Sequence, residues 1–256
     1  MWIPRLFRIA LLLLAWPVQA CLFQVCLGAP AAADTLTVLA PALVTPGLKA
    51  LADQFSAKTG IAIALGDGAR DKVFDSLNAG GAADVVVLPT GDLVDSPRIT
   101  GMTPLGHVPV GVGVKAGSKV PNVSTPERFL AVLLAAKGVA YADPKAGTST
   151  GKIIDQMLSA PEFARVRRVP VQGLAVNALL NGQADITLQM LPELVINKDV
   201  ALAGPVPESY GAGVDFSAGI AVQTANAMEA QAFISFLTDP QNVPLWKNNG
   251  LTPLGP

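Results

Sequence analysis

The stretch Asp143-Pro-Lys-Ala-Gly-Thr-Ser-Thr-Gly-Lys152 sets three consecutive hydroxyls, Thr148, Ser149 and Thr150, between two glycines. The apolar run Gly138–Tyr141 before it predicts a short strand, stopped by Asp143-Pro144. Ala146-Gly147 then makes a tight turn, and Thr148, Ser149 or Thr150 caps a helix running to about Ser159. A strand delivered onto a helix N-terminus presents unsatisfied N–H groups and the positive end of the helix dipole, which suits an anion. An ordinary capped helix has the same local pattern, so the reading depends on the other loops.

The second such stretch is Gly66-Asp-Gly-Ala-Arg-Asp71. Arg70 carries a planar fork of donors matched to a carboxylate; the alternative is a surface arginine paired with Asp67 or Asp71. Gln172 and Gln189 are either cleft donors or merely exposed polar residues, Tyr210 lies in a glycine-rich turn from which it could close over a ligand, and Ala42 follows the first strand. Asp71, Lys152, Lys145 and His107 are the groups available to move a proton. His107 is the only histidine, on an apolar strand where a packed or hinge role competes with a catalytic one. A single histidine, with both cysteines (Cys21 and Cys26) before Ala33, argues against a zinc site. No phosphate-binding loop ending in Gly-Lys-Ser/Thr occurs. The expectation is no metal and no cofactor.

The N-terminus reads as an export signal. Arg5 and Arg8 form a basic region, Ile9–Ala15 an apolar one, and Ala31-Ala-Ala33 a small-residue cleavage site. Val18-Gln-Ala-Cys21 offers a second cleavage point of the lipoprotein type, with Gln19 a poor fit. Cleavage after Ala33 leaves no cysteine and 16 basic against 19 acidic residues, a net charge of −3. That balance gives no electrostatic footprint for nucleic acid or an anionic membrane.

The elements that must position these residues alternate strand and helix. Asp34–Ala40 and Ile61–Leu65 read as strands, and Asp84–Leu88 as a strand apolar on both faces, as in a buried parallel sheet. Leu48, Leu51, Ala52 and Phe55 share one helix face, with Gly60 after the helix end, and Lys72–Asn78 forms the next helix. Successive strand–helix units predict an open α/β sheet with its ligand outside the carboxyl ends of the strands. Leu105–Lys115 and Gly213–Thr224 are long glycine-bearing strands suited to hinge crossings, and Val166–Pro170 is a basic connection. Gly80-Gly-Ala-Ala-Asp84 and Gly182-Gln-Ala-Asp185 each precede a buried strand, so two lobes follow one plan.

Four stretches in this order resemble the type II periplasmic substrate-binding proteins, in the branch of the molybdate-binding proteins: Leu36–Ala40, Ala79–Asp84, Asp143–Gly151, and Phe236–Pro240 with Asn249–Pro253. The resemblance covers about 220 residues, Leu36 to Gly255. It implies a two-lobed α/β fold with a ligand cleft between the lobes: residues 1–33 as signal peptide, 34–113 plus 216–256 as one lobe, and 114–215 as the other. It further implies a periplasmic, monomeric protein that captures a small anion for an ABC-type transporter permease. Molybdate binders place serines after the first strand and at the second helix; here those positions hold Ala42 and Gly68-Ala-Arg70-Asp71. The departure favours an organic di- or tricarboxylate over molybdate, with Ala42, Arg70, Asp71, Thr148, Ser149, Thr150, Gln172, Gln189 and Tyr210 as the ligand-binding set. The same branch includes aconitate isomerase, so the alternative is an isomerase using Asp71, Lys152 or His107 for proton transfer.

Overall fold

The computed structural model describes residues 35–94 and 96–254, without the side chain of Asp67. The export signal, Cys21, Cys26 and Gly255 lie outside the described residues.

Three parallel strands open the fold: β1 (Thr35–Pro41), β2 (Ala62–Gly68) and β3 (Val85–Pro89), followed respectively by α1 (Thr45–Thr59), α2 (Arg70–Asn78) and α3 (Thr90–Leu93). Strand β2 runs three residues beyond the expected end at Leu65, because Gly66, Asp67 and Gly68 stay in register with Leu39, Ala40 and Pro41. The region read as a glycine-rich turn is therefore largely strand, and α2 starts abruptly at Arg70. The β3 strand is covered on both faces, as its composition requires: Val85 and Val87 join the core under α1, while Val86 and Leu88 pack with Val73, Leu77 and Leu93 of α2 and α3.

Strand β4 (Ile99–Lys115) starts six residues before the expected Leu105. The chain continues through α4 (Pro126–Ala135), β5 (Val139–Ala142), α5 (Ser149–Leu158), β6 (Arg168–Val171), α6 (Val176–Leu180), β7 (Ile186–Met190), α7 (Leu191–Val195) and β8 (Val200–Pro205). It returns on β9 (Gly213–Ala221) and ends with α8 (Ala227–Leu237), α9 (Val243–Asn248) and β10 (Thr252–Pro253). The basic segment expected to be a connection is the edge strand β6, parallel to β5. Strand β8, ending in Gly-Pro, had no clear sequence signal; it lies against β4.

The strands form two sheets joined through β4. One has the order β2-β1-β3-β9-β4 with β10 on β4's other edge; the other contains β4, β5, β6, β7 and β8. From Ile99 to Pro109, β4 pairs antiparallel with β9; from Val110 onward it pairs with β7 and β8. This is a two-lobed α/β fold. Val108, Val110, Val112 and Val114 are all buried in the main core. On the opposite face, side chains at Gly111 and Gly113 would meet Leu191, Leu194 and Val200 within 2.5–2.9 Å, so α7 and β8 pack onto backbone alone.

The repeated Ala-Asp has one structural cause. Asp84 accepts the amide of Thr37 (2.7 Å), inside the neighbouring strand β1, and is also bonded by Asn226 Nδ2 (3.1 Å) and Thr224 Oγ1. Asp185 does the same in the second sheet, accepting the amides of Lys137 (3.2 Å) and Gly138 (3.3 Å) ahead of β5. Asp84 is 8% exposed and its loss strands three donors. Asp84→Ala is expected to destabilise the protein by about 2–4 kcal/mol in urea unfolding, and Asp185→Ala distinctly less, because water replaces its exposed carboxylate. Equal effects would show that the two carboxylates do not act through burial.

Candidate functional site

The carboxyl ends of β1, β2 and β3 face those of β5, β6 and β7 across the crossing of β4, because Val110 of β4 sits opposite Met190, the last residue of β7, while Pro109 sits opposite Gly213. The N-termini of α1 and α2 thus come to the cleft from one lobe and that of α5 from the other. Their free amides are the raw material of an anion site.

The α5 side is the better furnished. Thr148 is the N-cap, its Oγ1 accepting the amide of Gly151 at 3.2 Å, which leaves the amides of Ser149 and Thr150 for an outside acceptor. Thr148 and Ser149 are exposed and Thr150 half-buried. Gly151 admits no side chain: a Cβ there would lie 2.5 Å from the carbonyl oxygen of Ala142 and 2.9 Å from Thr148 Oγ1. The first turn of α5 is thereby pressed onto the end of β5. Below it, the buried Tyr141 hydroxyl donates to Asp155 of α5 at 2.7 Å, and Arg168 of β6 lies 3.7 Å from the same carboxylate. Burial, with the adjacent Asp155 carboxylate, pushes the Tyr141 phenol well above its ordinary range, so it acts as a donor strut. Lys145 and Lys152 flank the turn, both exposed, and among the described residues neither forms an ion pair.

On the other lobe the sequence expectation needs correction. The fork of Arg70 is not open. Its Nε donates to Asp92 Oδ2 at 2.7 Å, its Nη2 to Asp92 Oδ1, and its Nη1 to Asp71 at 2.6 Å. The hydrogen bond with Asp92, against some desolvation, raises the Arg70 pKa. Pairing with Asp71 was the alternative reading; Asp92, in the first turn of α3, was not foreseen. Arg70 therefore clamps α2 to α3. Ala42 offers no free amide either, since its N–H donates to the Gly68 carbonyl at 2.9 Å and pins the β1 loop to the end of β2. Thr90, at the start of α3, brings a hydroxyl that the sequence reading passed over; its Oγ1 lies 2.8 Å from that of the buried Ser217 on β9.

The other candidates divide. Gln172, at the end of β6, donates to Asp143 at 3.3 Å and so sits beside the α5 turn. Gln189, on β7, donates to Glu193 at 3.4 Å. Tyr210 does not close over the cleft: its ring packs against Phe129 (5.4 Å) and Phe163 (5.1 Å) inside the second lobe, with its hydroxyl 3.5 Å from the Pro126 carbonyl. His107 is paired through Nδ1 with Asp215 at 2.7 Å on the adjacent strand, where a concavity of about 1050 Å³ runs beside β4 and β9. Pro109 and Leu191 border that concavity, whereas the residues of the α5 turn and the carboxyl ends of β1, β2 and β3 do not. Residues 147–151 also match the Gly-x-Ser-x-Gly spacing of a hydrolase elbow, which the sequence reading overlooked. No triad assembles: His107 pairs with Asp215 but makes no hydrogen bond with Ser149. Among the described residues, no group of three or more His, Cys, Asp or Glu could hold a metal, and no helix is long and apolar enough to cross a membrane.

The clamp makes a prediction. Removing Arg70 leaves Asp92, whose side chain is 14% exposed, without its partner. Arg70→Ala should lower unfolding stability by about 1–2 kcal/mol, below the cost of a fully buried pair since Arg70 is itself 40% exposed. An unchanged melting temperature would mean the pair contributes nothing to the fold.

Comparison with known proteins agrees with this architecture. A family model described as bacterial extracellular solute-binding protein matches residues 36–252. An aconitate isomerase from a Pseudomonas species is 22% identical over 236 residues, 86% of this chain and 88% of its own. Among solved structures, a substrate-binding domain assigned to a molybdenum ABC transporter of Clostridium difficile superposes with a TM-score of 0.74 at 14% identity, covering 87% of this chain and all of its own. The periplasmic molybdate-binding protein of Azotobacter vinelandii gives a TM-score of 0.59 at 21% identity, over 86% of this chain and 99% of that one.

Proposed function

The chain belongs to the bacterial extracellular solute-binding protein family, and within it we propose that this protein is exported, captures a small organic di- or tricarboxylate between its lobes, and hands it to an ABC-type permease. The observation that carries this reading is the α5 turn: free amides of Ser149 and Thr150, three hydroxyls, and unpaired Lys145 and Lys152 at one helix N-terminus. Amides and hydroxyls suit any oxyanion, but two flanking ammonium groups suit a ligand with more than one separated carboxylate. We place the lobe exchange at Pro109–Val110 and Ala212–Gly213, where β4 changes partners, rather than near 113 and 216.

Molybdate is disfavoured by the first lobe. Ala42 and Ala69 bring no hydroxyl, the Ala42 amide is engaged, and the Arg70 fork is filled by two carboxylates. What Arg70 and Asp71 contribute to ligand is limited to the rim of that clamp, and Gln172 supports the α5 turn through Asp143.

The similarity to an aconitate isomerase favours a second reading, proton transfer on a bound tricarboxylate. The step would remove a proton from the methylene carbon beside the double bond and return one to the far carbon of the original double bond, so that the double bond moves over by one position. Lys152 and Asp71 stand near the N-termini of α5 and α2, on opposite lobes; His107 stands on β4.

Calorimetry with citrate, cis-aconitate, tricarballylate, sulfate and molybdate tests the proposal. A polycarboxylate is expected to bind at about 1 µM or tighter and molybdate at least about a hundredfold more weakly. Lys152→Ala should weaken the polycarboxylate about tenfold. Submicromolar molybdate binding would overturn the carboxylate reading. NMR of cis-aconitate incubated with the protein separates the two functions: conversion supports the isomerase, and binding without conversion supports capture for transport.

A further inference from the structure

The concavity along the hinge differs in chemistry from the anion site. Five of its lining residues are prolines, at 109, 126, 205, 207 and 253, which contribute carbonyl oxygens and no N–H. Its carboxylates are Asp215 and Glu208, and Asp215 already shares one hydrogen bond with His107, through Asp215 Oδ1. Among the described residues that line it, no lysine or arginine appears. Val123, Leu191, Val206 and Leu254 supply apolar wall. With neutral polar side chains at Asn122, Ser124, Ser209 and Thr252, the space has two carboxylates and no basic chain of the lysine or arginine type, at about 1050 Å³, the size of a small-molecule site.

We propose that this cavity is a second binding site, for a small organic cation: an ammonium or amidinium group held by Glu208 and the free oxygen of Asp215, with an apolar body against Val206, Leu191 and the proline rings. Its walls come from both sheets. His107, Asp215 and Pro253 belong to the first, while Pro205 ends β8 of the second and Val206 follows it. Val206 and Ala212, two of the wall residues, are also the backbone partners of Val110 at the point where β4 changes sheets. Occupancy is thus coupled to the geometry of the hinge, and any effect on the anion site is reciprocal.

His107 supplies the reporter, since it is the only histidine and its ring borders the cavity. Benzylammonium and its neutral counterpart benzyl alcohol are titrated into the protein while the imidazole proton resonances of His107 are followed by NMR. Benzylammonium should give a saturable shift below about 10 mM, with benzyl alcohol at least about tenfold weaker. Glu208→Gln should weaken benzylammonium about tenfold and leave benzyl alcohol unchanged. The comparison of the two probes on the unaltered protein needs no variant to fold. Absence of a saturable shift, or equal affinity for the charged and neutral probes, overturns the proposal, whatever the carboxylate titrations show.

Discussion

One backbone residue holds the two sheets in relation to each other. The amide of Val110 donates to the Ala212 carbonyl at 2.9 Å, and its carbonyl accepts the amide of Val206 at 2.8 Å. Strand β4 is therefore bonded to the returning chain on both sides of the point where it leaves one sheet for the other. With valines 108 to 114 on one face in a single continuous core, and Gly111 and Gly113 admitting α7 and β8 on the other, the crossing cannot slide without breaking its packing. The two sheets are thus joined at two neighbouring chain points, Pro109–Val110 and Ala212–Gly213.

That crossing sets the chemistry. Because the β4–β7 and β4–β9 pairings meet at Val110, the carboxyl ends of the parallel strands of both sheets converge there, and with them the helix N-termini. The two lobes then differ. The first has neutralised its own cation, tying Arg70 to Asp92 and Asp71, and contributes shape and a hydroxyl at Thr90. The second keeps its donors free, with the α5 turn braced from below by Tyr141, Asp155 and the close contact at Gly151. On the proposed reading, recognition of an anion rests chiefly on the second lobe, through the α5 turn.

The sequence carried the architecture well because periodicity and turn residues report local structure directly. The doubly buried Asp84–Leu88 strand, the Gly60 helix end and the Thr148 cap all rest on residues that act within a few positions of themselves. Bulky glycine-bearing strands marked the crossing, though the glycines serve close packing rather than flexibility. What the sequence did not carry is pairing at a distance. Arg70 and Asp92 are 22 positions apart, and nothing local says that the fork is filled. Tyr210, in a turn rich in glycine, has the surroundings of a mobile lid until Phe129 and Phe163 are seen against it. Short edge elements such as β6 and β8 are invisible for the same reason: they are strands only because a neighbour offers an edge.

The most direct measurement follows backbone amides by NMR while citrate is titrated into isotope-labelled protein. If the anion is held at the α5 turn, the largest shifts fall on the amides of Ser149 and Thr150, with smaller ones at Val110 and Ala212 as the hinge adjusts. Saturable binding with those two amides unmoved, and the shifts gathered elsewhere, would contradict the assignment of the α5 turn as the anchor of the ligand.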